Sequence, residues 1–398
     1  MMKISDLAEE NNITPFFRLG FRPLFTLGAL FSCITLVLWA GFLGGTFDLS
    51  LYGGGYFYHT HEMIFGFINA IIVGFLLTAV QNWTGIRSLH SKPLALLVSI
   101  WLTARIFMIV PVVANWLIML IDVSFMLFSA IILARPLIAV KQVRNLFFVP
   151  LLVMFAVLNA LFHGQMLGFW QLNLRDLAYA SSTLVLLLMS IMAGRVTPMF
   201  TANGTQTAKV APLAILEWAC TVTLLLIFLQ FLLQQPLPTS TTASLFFIAG
   251  VCQLIRWLRW RPWITLHVPL LWSLHTSMLF FWVGLIAMSV SIIGNSMAIS
   301  HIWHLLTVGA MGGLILAMIS RVSLGHTGHP LTPAPVMSIA FIAIFISALL
   351  RALGPTLMPE KHLLFVSMSS ILWLLAYSIF IIKYAPLLLQ PRRDGRPG

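Results

Sequence analysis

The stretch HTHEMIFGFINAIIVGFLLTAV, residues 59–80, decides how this chain is read. From Met63 to Val80 it carries no charged side chain. As a helix rising about 1.5 Å per residue it covers about 33 Å, the thickness of a bilayer's hydrocarbon core. A surface helix of a soluble protein shows a polar face, whereas this stretch is apolar nearly all round, so its solvent is lipid. Two imidazoles and a carboxylate, His59, His61 and Glu62, stand at its head.

Similar runs recur in both directions. They fall at 24–44, 59–80, 94–113, 116–138, 146–168, 174–197, 211–234, 243–260, 268–291, 301–320, 335–354 and 362–386, twelve in all. Composition agrees: 60% of the 398 residues are hydrophobic, 8% are charged, and mean hydropathy is +0.99. The chain is therefore expected to be an all-α polytopic membrane protein with about twelve transmembrane helices. Connections are short, so residues 1–398 read as one membrane domain, with a segment 1–23 before the first helix and a tail 387–398 after the last. The segment 1–23 lacks an apolar core with a small-residue cleavage site, so the first helix is expected to stay attached.

Charge sets the expected orientation. With the N-terminus inside, eighteen of the 22 Lys and Arg residues fall on one side and only Arg105, Arg175, Arg351 and Lys361 on the other. Short loops rich in Lys and Arg stay cytoplasmic, which predicts both termini in the cytoplasm. The net charge of +12 then reflects topology and anionic lipid, and no nucleic-acid partner is implied. Cys33, Cys220 and Cys252 are isolated within helices and read as small apolar fillers rather than disulfides or thiolate ligands.

Topology sorts the histidines by depth. His59 and His61 open the second run, His301 and His304 open the tenth in the same sense, and His163 lies near the outer end of the fifth. At about 100° per residue His301 and His304 share a face, while His59 and His61 diverge by about 200°. His61 is expected to turn inward, toward the tenth helix, and His59 toward the outer surface. Imidazoles offered by facing helices can ligate heme iron or copper, and Glu62 could orient a ligand through its second ring N–H. The competing reading is that histidines at helix ends sit at the headgroup level, as His362 does. Arg105 and Asp122 read as a structural ion pair. Glu217 and His275, both about 10 Å from the cytoplasmic ends, read as a proton-conducting or ligand-binding pair or as satisfied internal hydrogen bonds. SLGHTGHPL, residues 323–331, spaces His326 and His329 for chelation or for solvation. Trp83, Trp170, Trp257, Trp260 and Trp263 fit an interfacial belt.

Three loops on one side are faintly alike: NWTGIRSLHSKPL, AGRVTPMFTANG and SRVSLGHTGHPL, one every four helices. This suggests three four-helix units with the second, sixth and tenth helices equivalent. Such an arrangement resembles the catalytic subunit of heme-copper oxidases, but the sixth and seventh helices lack the histidines that a complete dioxygen-reducing centre needs.

A second resemblance covers nearly the whole chain. GFRPLFTLGAL, HTHEMIFGF, GFLLTAVQNWTG, AGRVTPMF and HLLTVGAMGGLILAMISRVSLGHTGHPL occur in the order and spacing of the NnrS family. The resemblance implies a bacterial inner-membrane protein carrying heme b and copper and serving nitric oxide tolerance, often alongside denitrification. It places the HxHE element on His59, His61 and Glu62, the GRV arginine on Arg195, and the tenth-helix elements on a stretch that includes Arg321 and His326. The candidate site is thus His59, His61, His163, His301 and His304, supported by Glu62, Arg195, Arg321, His275 and Glu217. Nitric oxide or its iron complexes would be bound or transformed there. Two other classes are open: a transporter or metal-handling protein using the same histidines, and an assembly partner of a respiratory enzyme.

Overall fold

A computed structural model describes residues 10–46 and 50–397. Residues 1–9, with Lys3 of the charge count and the start of the N-terminal segment, lie outside the described residues, as do 47–49 and 398. Among the described residues the chain is helical and no strand forms. Twelve helices are long and apolar enough to cross a membrane: α1 (Phe21–Leu43), α2 (Gly55–Thr84), α3 (Ser91–Ile109), α4 (Asn115–Ala139), α5 (Val143–Met166), α6 (Leu174–Thr205), α7 (Ala214–Leu232), α8 (Thr239–Arg259), α9 (Pro269–Gly294), α10 (Ile299–His326), α11 (Val336–Leu357) and α12 (Pro359–Leu388). Each falls on one of the twelve apolar runs.

Local chemistry sets the ends. Gly85 takes φ 71° after α2, and its N–H closes on the Gln81 carbonyl; a left-handed residue there satisfies one of the carbonyls that a helix end leaves open. Asn295 does the same after α9 at φ 48°. Arg256 and Arg259 occupy the last turn of α8, where cations complement the helix dipole. Along α1 the side chains of Leu30, Ile34 and Val37 form an exposed apolar stripe at i, i+4 and i+7, opposite the buried Phe21, Leu24, Phe25 and Ala29. That stripe is the inverse of a soluble protein's surface and suits contact with acyl chains.

Burial is greatest in three helices. Of the best apolar window in each helix, 78% is buried in α2, 72% in α6 and 83% in α10, and no other helix exceeds 61%. Two of these three depart from α geometry: α2 is a π-helix over Glu62–Ile68 and α10 over Leu305–Gly312. Each π segment directly follows a histidine pair. Hydrophobic periodicity cannot reveal such a segment, because its side chains are apolar in either geometry.

Contacts divide the chain into two compact units. The first comprises Met1–Leu174, Val322–Pro330 and Phe380–Gly398; the second comprises Arg175–Arg321 and Leu331–Ile379. In the first unit the C-terminal segment is strapped down. The Arg22 guanidinium is fully buried and its Nη1 donates to the carbonyls of Leu388 (2.9 Å) and Gln390 (2.7 Å), capping the end of α12. Further on, Arg393 N–H donates to the Thr327 carbonyl and Arg392 Nη1 to that of His326. Hydrogen bonds from Arg392 hold the Asp394 carboxyl below the usual carboxylate range.

In the second unit the VGAMGG glycines serve packing. A Cβ on Gly309 would lie 2.4 Å from Phe280, one on Gly312 2.6 Å from Trp373, and one on Gly313 2.6 Å from Phe345. Their absence lets α9, α11 and α12 side chains close on α10. The carbonyl of Gly312 accepts the Tyr377 hydroxyl at 2.9 Å.

Arg22→Ala removes two charge-assisted hydrogen bonds from a buried site and should cost about 2–3 kcal/mol. The expected readout is a lower thermal unfolding midpoint in detergent, with the segment beyond Leu388 becoming protease-sensitive while the rest of the chain stays resistant.

Candidate metal centre

The polar groups buried in the first unit converge on one point. α2 supplies His61 and Glu62, α3 supplies Arg105, α4 supplies Asp122, and α5 supplies Asn159 and His163, which share a face at i, i+4. All six are fully or almost fully buried. Arg105 is the bridge. Its Nη1 donates to Glu62 Oε1 at 2.7 Å and its Nη2 to Asp122 Oδ1. The Arg105–Asp122 pair expected from the sequence therefore forms, but as part of a larger site.

His61 meets an acceptor at each ring nitrogen. Nδ1 lies 2.8 Å from Glu62 Oε1; Nε2 lies 2.8 Å from Asn159 Oδ1 and 3.3 Å from Asp122 Oδ2. The Asn159 amide in turn donates to Asp122 Oδ2 at 2.9 Å. His163 Nε2 donates to the same Asp122 Oδ2 at 3.1 Å, which leaves Nδ1 to accept from the Tyr52 hydroxyl at 2.9 Å. Ligand atoms of His61, Asp122 and His163 all lie within 4.8 Å of one another, so the three could hold a metal ion.

Aromatic rings close the apolar side. Phe57 stacks on the His61 imidazole at 5.4 Å, Phe65 lies 4.9 Å away, and Phe162 meets it edge-on at 6.0 Å. The π segment brings the backbone close. A Cβ at Gly66 would fall 2.6 Å from the Phe31 ring, 2.8 Å from Arg105 Nη1 and 3.0 Å from Glu62 Oε2. Trp101 Nε1 donates to the Gly66 carbonyl at 2.9 Å, tying α3 to the same turn. Ahead of α2, Gly53 and Gly54 take φ of 72° and 82°, a turn open mainly to glycine, and place Tyr52 against His163.

Charge counting exposes an imbalance. With both imidazoles neutral the cluster holds two carboxylates and one guanidinium, and Glu62 Oε2 has no donor. Buried charge without a partner is expensive, so the surplus carboxylate needs a proton or a cation. A proton on the Glu62 carboxyl meets that need, and so does a metal ion among His61, Asp122 and His163.

The remaining predicted residues sit elsewhere. His59 stacks on Trp39 of α1 at 4.4 Å, on the opposite side from His61, as their angular separation requires. His61 itself meets α4 and α5, through Asp122 and Asn159. His301 and His304 belong to the second unit. There His301 Nδ1 lies 3.0 Å from the Thr356 hydroxyl with its ring 5.9 Å from that of His362, and His304 Nδ1 donates to the Ser300 carbonyl at 2.6 Å. Arg321 lies over the Phe200 ring at 3.9 Å, and Arg195 is half-buried in α6.

Glu217 and His275 take separate partners. Glu217 Oε2 accepts from Arg256 at 2.8 Å, and His275 Nε2 bonds the Thr201 hydroxyl at 2.9 Å. Arg256 is buried inside α8 with Trp260, also buried, beneath its guanidinium at 5.1 Å, which removes Trp260 from the interfacial set. His326 and His329 also diverge: His326 packs on Phe21, whereas His329 Nδ1 bonds Thr327 Oγ1. The two do not form a chelate.

Sequence reading passed over Asp122 as a ligand and missed Asn159 and Tyr52. The available signal was the pair Asn159 and His163 at i, i+4 on an otherwise apolar helix, level with Arg105 and Asp122.

Gly66→Ala should force the guanidinium and the Phe31 ring apart at a cost of about 1–3 kcal/mol. Lower thermal stability and weaker uptake of added copper are the expected outcomes. Gly294→Ala, whose added Cβ meets nothing within 4 Å, should be silent in both assays.

In comparison with known proteins, the family profile described as NnrS protein matches residues 15–392. No curated protein matches the chain. The profile spans nearly the whole chain, and the protein belongs to the NnrS family.

Proposed function

We propose that this NnrS-family protein holds a transition-metal ion on His61, Asp122 and His163 and acts in tolerance of nitric oxide. The observation that carries the proposal is the buried group of two imidazoles and a carboxylate whose ligand atoms lie within 4.8 Å of one another. Two nitrogen donors and one oxygen donor suit copper or another borderline divalent ion. Glu62 accepts the Nδ1 proton of His61 and so aims Nε2 at the ion, Tyr52 holds the His163 ring, and Arg105 fixes both carboxylates. Bound there, the ion would offer an open position to a small apolar ligand such as nitric oxide, which partitions into the bilayer.

Heme fits this cluster poorly. A porphyrin needs an open slab beside the ligating nitrogen, and the ring nitrogens of His61 and His163 are already in contact with Glu62, Asn159, Asp122 and Tyr52. Heme b, which the family resemblance implies, would then belong elsewhere, with His59 in the first unit or His301 and His304 in the second as separate candidates. The asymmetry of Lys and Arg supports a bacterial inner membrane with both termini cytoplasmic. Any redox chemistry would draw on a respiratory-chain partner.

The transporter reading has one observation in its favour. The π segments of α2 and α10 interrupt regular geometry beside a histidine pair in each, and interrupted helices line the substrate sites of many transporters.

Metal content and the visible spectrum of detergent-purified protein, with and without nitric oxide, test these readings. Wild type is expected to carry metal at a ratio near unity, His61→Ala and His163→Ala to lose it while remaining folded, and His301→Ala to lose heme absorbance alone. A folded, colourless, metal-free wild type overturns the proposal. Metal flux in liposomes without a retained metal would favour transport.

A further inference from the structure

On the Lys- and Arg-rich side of the first unit a cavity of about 440 Å³ lies between the α2–α3 loop, the start of α3 and the end of α4. Its polar lining is Arg87, Ser88, His90, Ser91 and Arg135, and no acidic residue lines it. Arg87 is partly engaged, with Nη2 3.3 Å from Glu10 Oε1. Arg135 has no hydrogen-bond or ion-pair partner among the described residues. Ser88 is 6% exposed and its Oγ lacks a hydrogen-bond partner. The His90 ring is oriented by a bond from Nδ1 to the Ser88 carbonyl at 2.7 Å.

The helix α3 opens into this space. Its N-cap, His90, gives no side-chain cap, its first turn holds no acid, and the amides of Ser91 and Lys92 have no intrahelical acceptor. The positive end of the dipole and the free N–H groups favour an anion. Two guanidinium groups and an unpartnered serine hydroxyl add donors of the kind that phosphate accepts.

The rest of the wall is apolar. Leu89 and Ile132 line the cavity, and Ile86, at its edge, is exposed. A free inorganic anion would use the donors and leave that wall wet. A ligand carrying an anionic phosphate on an acyl chain satisfies both parts at once, and basic pockets between transmembrane helices on the cytoplasmic side characteristically take such lipids.

We propose that this cavity binds the phosphate group of an anionic glycerophospholipid from the adjoining leaflet. The phosphate sits between Arg135, Arg87 and the amides that open α3, and the acyl chain lies along Ile132. Bound lipid would brace the α2–α3 loop against the end of α4, and all three helices supply the buried cluster.

The test is native mass spectrometry of the full-length protein after delipidation in detergent, with phosphatidylglycerol or phosphatidylcholine of the same chain length added back. Wild type should bind phosphatidylglycerol at least about fivefold more tightly, the equivalent of roughly 1 kcal/mol for one well-placed cation. Arg135→Gln should abolish that preference, Ala139→Trp should fill the cavity and weaken both lipids, and Lys209→Gln, outside the lining, should leave both unchanged. Arg135 is exposed at a helix end, so its substitution is compatible with folding. Equal binding of the two lipids to wild type overturns the proposal, as does a phosphatidylglycerol preference that survives in Arg135→Gln. If inorganic phosphate binds with the same Arg135 dependence while phosphatidylglycerol shows none, the site belongs to a free anion and the lipid is ruled out.

Discussion

One guanidinium organises the first unit. Arg105 stands among four apolar helices with a carboxylate on either side, and in that medium neither carboxylate can be ionised without it. Removing one member of a buried pair typically costs about 3–5 kcal/mol, because it strands the other charge. The ion pairs therefore fix the depth of α2, α3 and α4 relative to one another within this unit. Once they are fixed, Asp122 Oδ2 is presented to α5, and Asn159 and His163 dock on it. A single cation thus determines where both imidazoles stand.

The π segment of α2 makes that arrangement sterically possible. Regular α geometry leaves no backbone freedom to bring consecutive side chains such as His61 and Glu62 onto one centre while also seating a guanidinium against the helix. Widening the turn at Glu62 and placing glycine at 66 lets Arg105 lie against the backbone. The Gly66 carbonyl, no longer committed to regular α pairing, accepts from Trp101. π segments are rare and concentrate where function demands an irregular helix. α10 carries another such segment, directly after its own histidine pair.

Twelve helices were legible because lipid imposes one dominant rule: about twenty apolar residues per crossing. Most ends shifted by four residues or fewer, but α6 continues through Pro198 to Thr205, eight residues past the expected end, and α10 continues to His326, six past it. The site was only half legible. Depth brought His61, His163, Arg105 and Asp122 to one level, which is a property of position along each helix. Azimuth, the direction in which each residue faces, depends on packing and on the π segment. Hence Glu62 was placed as a partner of His61, while Asp122 was set aside as structural and Asn159 went unnoticed. A short amide on an apolar helix carries no motif; its role is visible only once the carboxylate it serves is in view.

The chain offers its own internal control for reading buried charge. In the second unit Arg256 faces Glu217, and its Nη2 donates to the Ser190 carbonyl, the Ser190 hydroxyl and the Gln253 amide oxygen. One cation meets one anion, and neutral acceptors surround the other guanidinium nitrogen. The Arg105 cluster uses the same components in a different ratio. It has a second carboxylate, a carboxylate oxygen without a donor, and an imidazole flanked by acceptors on both nitrogens. A structural ion pair has no use for the extra anion, since a neutral amide there would satisfy Asn159 and His163 at lower desolvation cost. The second buried carboxylate is what distinguishes this cluster from the Arg256–Glu217 pair.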